Sequence, residues 1–250
     1  MSVLTESALR SQLKHQKTDR YVVSPDILIT PSARQYLKDK NIELVVEAAS
    51  KEGIQEHQQR QEVEKGFQPK YICGTTGGYF EKKPEYMTQL YGNKLVYKDH
   101  PRIILRGRLD SLQSKTLELQ CLAHKSKVDQ LRKDLEEVLQ LLRNILRAEV
   151  LEEALPTVSL FGYQEDMLRE ISHHPQKFFD FGHIVPRYDM GELVIGLNSL
   201  RSAVREVELA AIQAFKKEET VERQDILQAL NRLSSGVYIL MCRCVGGFYK

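Results

Sequence analysis

The chain has 250 residues, 42% of them hydrophobic and 28% charged, with a formal net charge of +2 at neutral pH. That balance is ordinary for a globular protein and leaves no strong electrostatic case for nucleic acid or an anionic membrane as partner. No apolar run is long enough to span a bilayer, and the first residues lack the basic-then-apolar pattern of a secretory leader. The cysteines Cys73, Cys121, Cys242 and Cys244 form neither a disulfide framework nor a CxxC zinc spacing, which points to a reducing cytoplasm.

Residues 1–66 read as a small unit of their own. Thr5 can cap a short helix carrying Leu9 and Leu13. Asp26-Ile-Leu-Ile29 reads as a strand, Thr30-Pro31-Ser32 opens a helix with proline at its favoured first position, and Ile42 to Val46 reads as a second strand. This strand–helix–strand unit is too small for a large core of its own. From Ser50 to Glu64 the composition shifts to Gln, Glu, Lys and Arg, the signature of a solvated helix or linker and a domain boundary.

Residues 67–250 form the second domain. Its start is irregular. Cys73-Gly-Thr-Thr-Gly-Gly78 is glycine-rich but matches neither a P-loop nor a dinucleotide fingerprint. The stretch Thr88 to Arg102 reads as one loop holding a hydroxyl, the flexible Gly92 and the cations Lys94, Lys98 and Arg102, which suits a polyanion. A solvated basic loop has the same composition.

From Leu109 onward the pattern is helical. Leu109, Leu112, Thr116 and Leu119 form one stripe, and Leu131, Leu135, Leu139, Leu142 and Leu146 form another on a helix over about 126–149. A shorter helix covers about 164–172. The aromatic loop Phe178-Phe179-Asp180-Phe181 follows, and the longest helix is expected over about 191–217. The last helix opens at Asp225, a possible cap with Gln228 completing a capping box. Ile226, Leu230, Leu233, Val237 and Leu240 give it a core face. The fold class is mainly α: a bundle of roughly five helices with a small α/β extension at the N-terminus.

Two polar rows interrupt these helices. Arg201, Arg205 and Glu208 lie along one face of the longest helix, at spacings of four and three. A ladder of surface ion pairs would look the same. A row set partly inside would instead need an anion for its arginines, with Asp110 a candidate partner. On the last helix Asn231 and Ser235 share a face, with Arg232 beside them. This combination suits a purine or ribose and its phosphates, and also the polar flank of an ordinary bundle helix.

Together these residues resemble the ATP:corrinoid adenosyltransferases of the propanediol-utilisation type. The matching features are Leu-Tyr-Gly (Leu90 to Gly92), Lys-Asp-x-Pro-Arg (Lys98 to Arg102), Gly-x-Leu-Asp-x-Leu (Gly107 to Leu112), the Arg-rich row Arg201 to Glu208, and Leu230 to Ser234. The ethanolamine-utilisation branch is more similar still. It shares Thr30-Pro-Ser-Ala-Arg34, Lys82-Lys-Pro84, Ser172-His173 with Pro175, Val185-Pro186, and Asp225 to Ser235 nearly throughout.

The resemblance implies transfer of the 5′-deoxyadenosyl group of ATP to the cobalt of reduced cobalamin, with ATP, Mg²⁺ and cobalamin as the small molecules bound. By position, Thr88, Gly92, Lys94 and Lys98 would hold phosphates, and Arg205 would neutralise triphosphate charge. Glu208 would help place Mg²⁺, and Asn231 the adenosine. Asp110 and Arg201 would form an ion pair supporting a site shared between subunits of a homo-oligomer. Phe178, Phe179 and Phe181 are candidates for the apolar wall that strips the lower axial base from the corrinoid. The implied setting is ethanolamine breakdown in the cytoplasm, inside or beside a protein-shelled microcompartment, with no nucleic-acid or membrane partner.

There are two departures. Members of the ethanolamine branch can carry a His followed by a Cys-Cys-x-x-Cys metal cluster. Here only Cys73 remains, and His57 stands three residues from the expected place, which Arg60 occupies. One thiol and a displaced imidazole do not make a tetrahedral site, so no structural zinc or iron is expected. Ile104 also stands where the propanediol type commonly has a glutamate. Two alternatives stay open: a non-catalytic cobalamin carrier or sensor, and a microcompartment scaffold using residues 1–66 as its interaction module.

Overall fold

The computed structural model describes residues 3–13, 18–23, 27–46 and 68–249. The chain divides into two compact units, Met1–Glu64 and Lys65–Lys250. The polar stretch read as a linker, with His57 and Arg60 in it, lies outside the described residues, as does Asp26.

The first unit runs β1 (Val3–Leu4), α1 (Glu6–Leu13), β2 (Arg20–Val23), β3 (Leu28–Ile29), α2 (Pro31–Asp39) and β4 (Glu43–Val46). Helix α2 starts as its sequence dictates: the Thr30 hydroxyl accepts from the Ala33 amide at 3.3 Å and Pro31 takes the first position. Its Ala33 and Leu37 pack with Leu4, Leu9, Val23 and Ile29. The expected strand–helix–strand order is present, but its two strands do not pair with each other. Strand β3 lies parallel to β1, and β4 parallel to β2. Parallel neighbours need a crossover connection, and each pair has its own, through α1 and β2 in one case and through β3 and α2 in the other.

The second unit opens with a four-stranded sheet of β5 (Tyr71–Cys73), β6 (Tyr79–Phe80), β7 (Met87–Tyr91) and β8 (Lys94–Tyr97), in the order β6-β5-β8-β7. The glycine-rich stretch is the turn between β5 and β6, closed by Cys73 donating to the Gly78 carbonyl at 2.7 Å and Gly77 to the Cys73 carbonyl at 2.9 Å. The stretch read as one loop, 88–102, is instead a β-hairpin followed by a helix start. Met87, Leu90, Leu95 and Val96 are buried, and burial of these side chains makes strands of the segment. Gly92 supplies the positive φ of 51° at the turn.

Five helices make the bundle: α3 (Pro101–Lys125), α4 (Asp129–Leu151), α5 (Glu165–His173), α6 (Glu192–Phe215) and α7 (Gln224–Val245). Short hairpins, β9 (Ser159–Leu160) with β10 (Tyr163–Gln164) and β11 (Lys216–Lys217) with β12 (Thr220–Val221), precede α5 and α7. Helix α3 begins eight residues before the apolar stripe suggests. Pro101 is its first residue, and the His100 Nδ1 accepts from the Arg102 amide at 3.2 Å. With 25 residues against 24, α3 and not α6 is the longest helix. The expected stripes on α3 (Leu109, Leu112, Thr116 and Leu119) and α7 (Ile226, Leu230, Leu233, Val237 and Leu240) are in the core, and that on α4 is buried at Leu131, Leu135, Leu139 and Leu142 but only partly at Leu146. The α3–α6 contact is tight at Gly196, where a Cβ would sit 2.5 Å from a Leu119 methyl.

Asp225 does not cap α7. The helix starts after Arg223, which has φ 52°. Asp225 instead accepts from Arg223 Nε at 3.0 Å and from the Leu155 amide at 2.9 Å, tying the α4–α5 connection to α7. Gln228 gives its amide to Glu165 and so completes no capping box. At the other end of α7 a charge is buried. Arg243 donates to Asp134 Oδ2 at 2.9 Å, which also accepts from the Tyr249 hydroxyl at 2.5 Å. The rings of Phe161, Tyr163 and Phe248 surround the guanidinium at 4.9–5.6 Å.

Candidate functional site

A cavity of about 660 Å³ opens between α6, α7, the end of α5 and residues 183–184. Helix α6 contributes Arg201, Arg205 and Glu208, and α7 contributes Asn231, Ser234, Ser235 and Tyr238. Spacings of three and four put each set on one face, and the buried apolar residues between them, Val204 and Val207 on α6 and Leu230 and Leu233 on α7, turn both faces to one side. Ser172, His173 and His174 come from the end of α5.

The polar groups are held in register. Asn231 donates from Nδ2 to Glu208 Oε1 at 3.2 Å and accepts from Arg232 at 2.8 Å. This bond bridges α7 to α6 at the cavity wall. Arg201 lies over the Tyr238 ring at 5.3 Å. Among the described residues neither Arg201 nor Arg205 has a carboxylate partner. Two guanidinium groups without carboxylates, facing one hollow with three imidazoles, make an anion receptor. The Tyr238 hydroxyl accepts from the Ile184 amide at 2.9 Å and lies 3.3 Å from His183 Nδ1, so it fixes the wall formed by 183–184. Burial raises the Tyr238 phenol pKa and keeps it protonated.

The other predicted residues lie elsewhere. Thr88, Gly92, Lys94 and Lys98 belong to the β7–β8 hairpin, and none lines the cavity. Thr88 and Lys94 are half-buried, and the Lys94 ammonium sits 5.4 Å from the Tyr91 ring centre. Arg102, expected as a free cation beside them, is engaged in the first turn of α3 by Glu149 at 2.5 Å and Glu152 at 2.7 Å. Asp110 lines a separate cavity with Arg108, Lys115 and Glu206 and makes no ion pair with Arg201 within the chain. Phe179 and Phe181 stack at 5.5 Å and pack on the core beside Gly246, while Phe178 is exposed. None of the three lines the 660 Å³ cavity.

Sequence reasoning gave no place to Tyr238 or His183. Tyr238 had a legible signal, since it stands seven residues after Asn231 on the same face. His183 had none, because only the fold of the connection 174–191 brings it against α7. The imidazoles of His173 and His174 also line the cavity.

The cavity's lining residues all fall within residues 78–244, which match the family model described as cobalamin adenosyltransferase. The chain is similar to the corrinoid adenosyltransferase EutT of Salmonella typhimurium, at 33% identity over 95% of this chain and 90% of that protein. It is similar to the Escherichia coli protein of the same name at 32% identity over the same shares. Among solved structures it is similar to variants of a PduO-type ATP:corrinoid adenosyltransferase from Lactobacillus reuteri. One, complexed with cobalamin and ATP, gives a TM-score of 0.49 at 23% identity over 63% of this chain and 84% of that chain. Another, complexed with ATP, gives 0.49 at 22% identity over 63% and 87%.

Proposed function

The chain belongs to the cobalamin adenosyltransferase family, and from that premise we propose that it transfers the 5′-deoxyadenosyl group of ATP to the cobalt of reduced cobalamin. The cobalt(I) centre supplies the electron pair for the new cobalt–carbon bond, the bond from the 5′ carbon to oxygen breaks, and triphosphate leaves with the pair of that broken bond. Cobalt is itself the nucleophile, so the protein needs no Ser–His or Cys–His pair. Its tasks are to align the 5′ carbon with cobalt and to stabilise the leaving polyphosphate.

The observation that carries this reading is the Arg205 guanidinium, facing the cavity without a carboxylate partner among the described residues. Arg205 neutralises triphosphate charge. The Asn231 amide, oriented by Glu208, reads the adenosine. Glu208 is a hard oxygen donor at the cavity wall and fits a Mg²⁺ carried by the nucleotide. Thr88, Gly92, Lys94 and Lys98 bind phosphates from the hairpin. Because hairpin and cavity are separate on one chain, we place the complete site between subunits of a homo-oligomer, where Asp110 of one copy pairs with Arg201 of the next. Phe178, exposed and backed by the stacked Phe179 and Phe181, supplies apolar surface to the corrinoid. The product serves ethanolamine catabolism, in the cytoplasm and in association with a microcompartment. Among the described residues no helix is long and apolar enough to cross a membrane.

The test is anaerobic: chemically reduced cob(I)alamin, Mg²⁺ and ATP, with the visible spectrum followed as the cobalt–carbon bond forms. ATP-dependent conversion is expected, falling on the order of a hundredfold or more in Arg205→Ala. Cobalamin binding without triphosphate release would overturn the assignment in favour of a carrier.

A further inference from the structure

The hairpin proposed to hold the phosphates is clamped from the bundle. Glu149, on α4, is fully buried and serves two guanidiniums: Oε1 accepts from Arg102 Nε at 2.5 Å and Oε2 from Arg106 Nε at 2.5 Å. Arg102 spends its other nitrogens within the bundle, on the Glu149 carbonyl at 2.7 Å and on Glu152 at 2.7 Å. Arg106 spends its own on the hairpin, donating to the Leu90 carbonyl at 2.8 Å and the Gln89 carbonyl at 3.4 Å.

Those carbonyls sit at an irregularity. Strand β7 is at the edge of its sheet. It pairs Gln89 with Leu95 and Tyr91 with Lys94, so Leu90 is an extra residue without a cross-strand partner. Such a bulge bends the strand and re-aims the chain beyond it, and the segment beyond this one is the turn carrying Gly92 and Lys94. A half-buried bulge carbonyl needs a donor. Arg106 provides it while the same fork stays on a buried carboxylate. A lysine, a point charge without the fork, cannot serve both.

We infer that Arg106 and Glu149 are positioning residues for ATP: Glu149 orients the guanidinium, Arg106 holds the β7 bulge, and the bulge sets the direction of the turn at 92–94. This rests on the phosphate-binding role proposed above for the hairpin.

The test uses the full chain with Arg106→Met, Arg106→Lys and Lys98→Ala. Arg106→Met leaves Glu149 paired with Arg102, so it avoids stranding a buried charge. The expected result is an ATP KM raised about tenfold or more with the cob(I)alamin KM unchanged, no rescue by Arg106→Lys, and faster amide hydrogen exchange confined to residues 89–94. An unchanged ATP KM in Arg106→Met, alongside a raised one in Lys98→Ala, would overturn the positioning role and leave the phosphate reading standing. Both KM values moving together with a lower thermal midpoint would mark Arg106 as merely structural and also overturn it. If Lys98→Ala and Arg106→Met both leave the ATP KM unchanged while Arg205→Ala abolishes transfer, the hairpin's phosphate role falls and the positioning role with it.

Discussion

Replacing Asp134 by alanine tests the energetic reasoning most sharply. The carboxylate is 2% exposed and receives Arg243 at 2.9 Å, the Tyr249 hydroxyl at 2.5 Å and the Gln130 amide at 2.8 Å. Its removal strands a guanidinium that is itself 8% exposed. Breaking a buried pair from one side costs about 3–5 kcal/mol. The three surrounding rings, each cation–π contact being worth roughly 0.5–2 kcal/mol, are present in both proteins and so do not change the difference. Against a total stability of about 5–15 kcal/mol the loss is severe. With a urea slope of about 2 kcal/mol per molar, a loss of about 4 kcal/mol lowers the midpoint by roughly 2 M. The chain has no tryptophan, so far-UV circular dichroism is the suitable probe, and the slope should not change. The double variant Asp134→Leu/Arg243→Met removes both charges and should lose much less, since an apolar replacement of a buried pair is often neutral. A single-variant loss under about 1 kcal/mol, or a double variant at least as unstable as the single, would refute the reasoning.

Three further outcomes are expected. The Arg223 guanidinium and the Leu155 amide hold the Asp225 carboxyl down at about 2 against an ordinary 3.8. Because the folded value is depressed, the unfolded chain binds the extra proton first. The stability is therefore present above about 3.8 and lost as pH falls toward about 2; acid titration should show that step blunted in Asp225→Asn. Gly196→Val places atoms on the Leu119 side chain and should lower thermal stability by about 1–3 kcal/mol, the ordinary cost of overpacking; an unchanged melting temperature would mean that the helices part freely. Chelator-treated protein, resupplied with Mg²⁺ alone, should keep full transferase activity, and activity restored only by zinc or iron would contradict the expectation of no structural metal.

The bundle was legible because its helices obey one rule: apolar residues at spacings of three and four, with the stripes on α3 and α7 buried as read and that on α4 buried up to Leu142, its last member Leu146 being half-buried. The start of α3 was not, since Arg102, Arg106 and Arg108 interrupt the periodicity and only the tertiary partner Glu149 explains two of them. The hairpin was hidden for a related reason. Its alternation is broken by the bulge at Leu90, which no local pattern announces. In the candidate site, Arg201, Arg205, Glu208 and Asn231 were readable from position along two helices, and the cavity brings all four together. The wall formed by His183 and Ile184 was not, because it depends on where a long connection comes to rest against Tyr238.

The separation of the hairpin from the cavity has a genetic consequence under the shared-site proposal. A chain with a ruined cavity still lends a sound hairpin to its neighbour, and a chain with a ruined hairpin still lends a sound cavity. Mixed in one assembly at random, two such inactive chains would restore about a quarter of the junctions, so two defective alleles would complement each other within one cell.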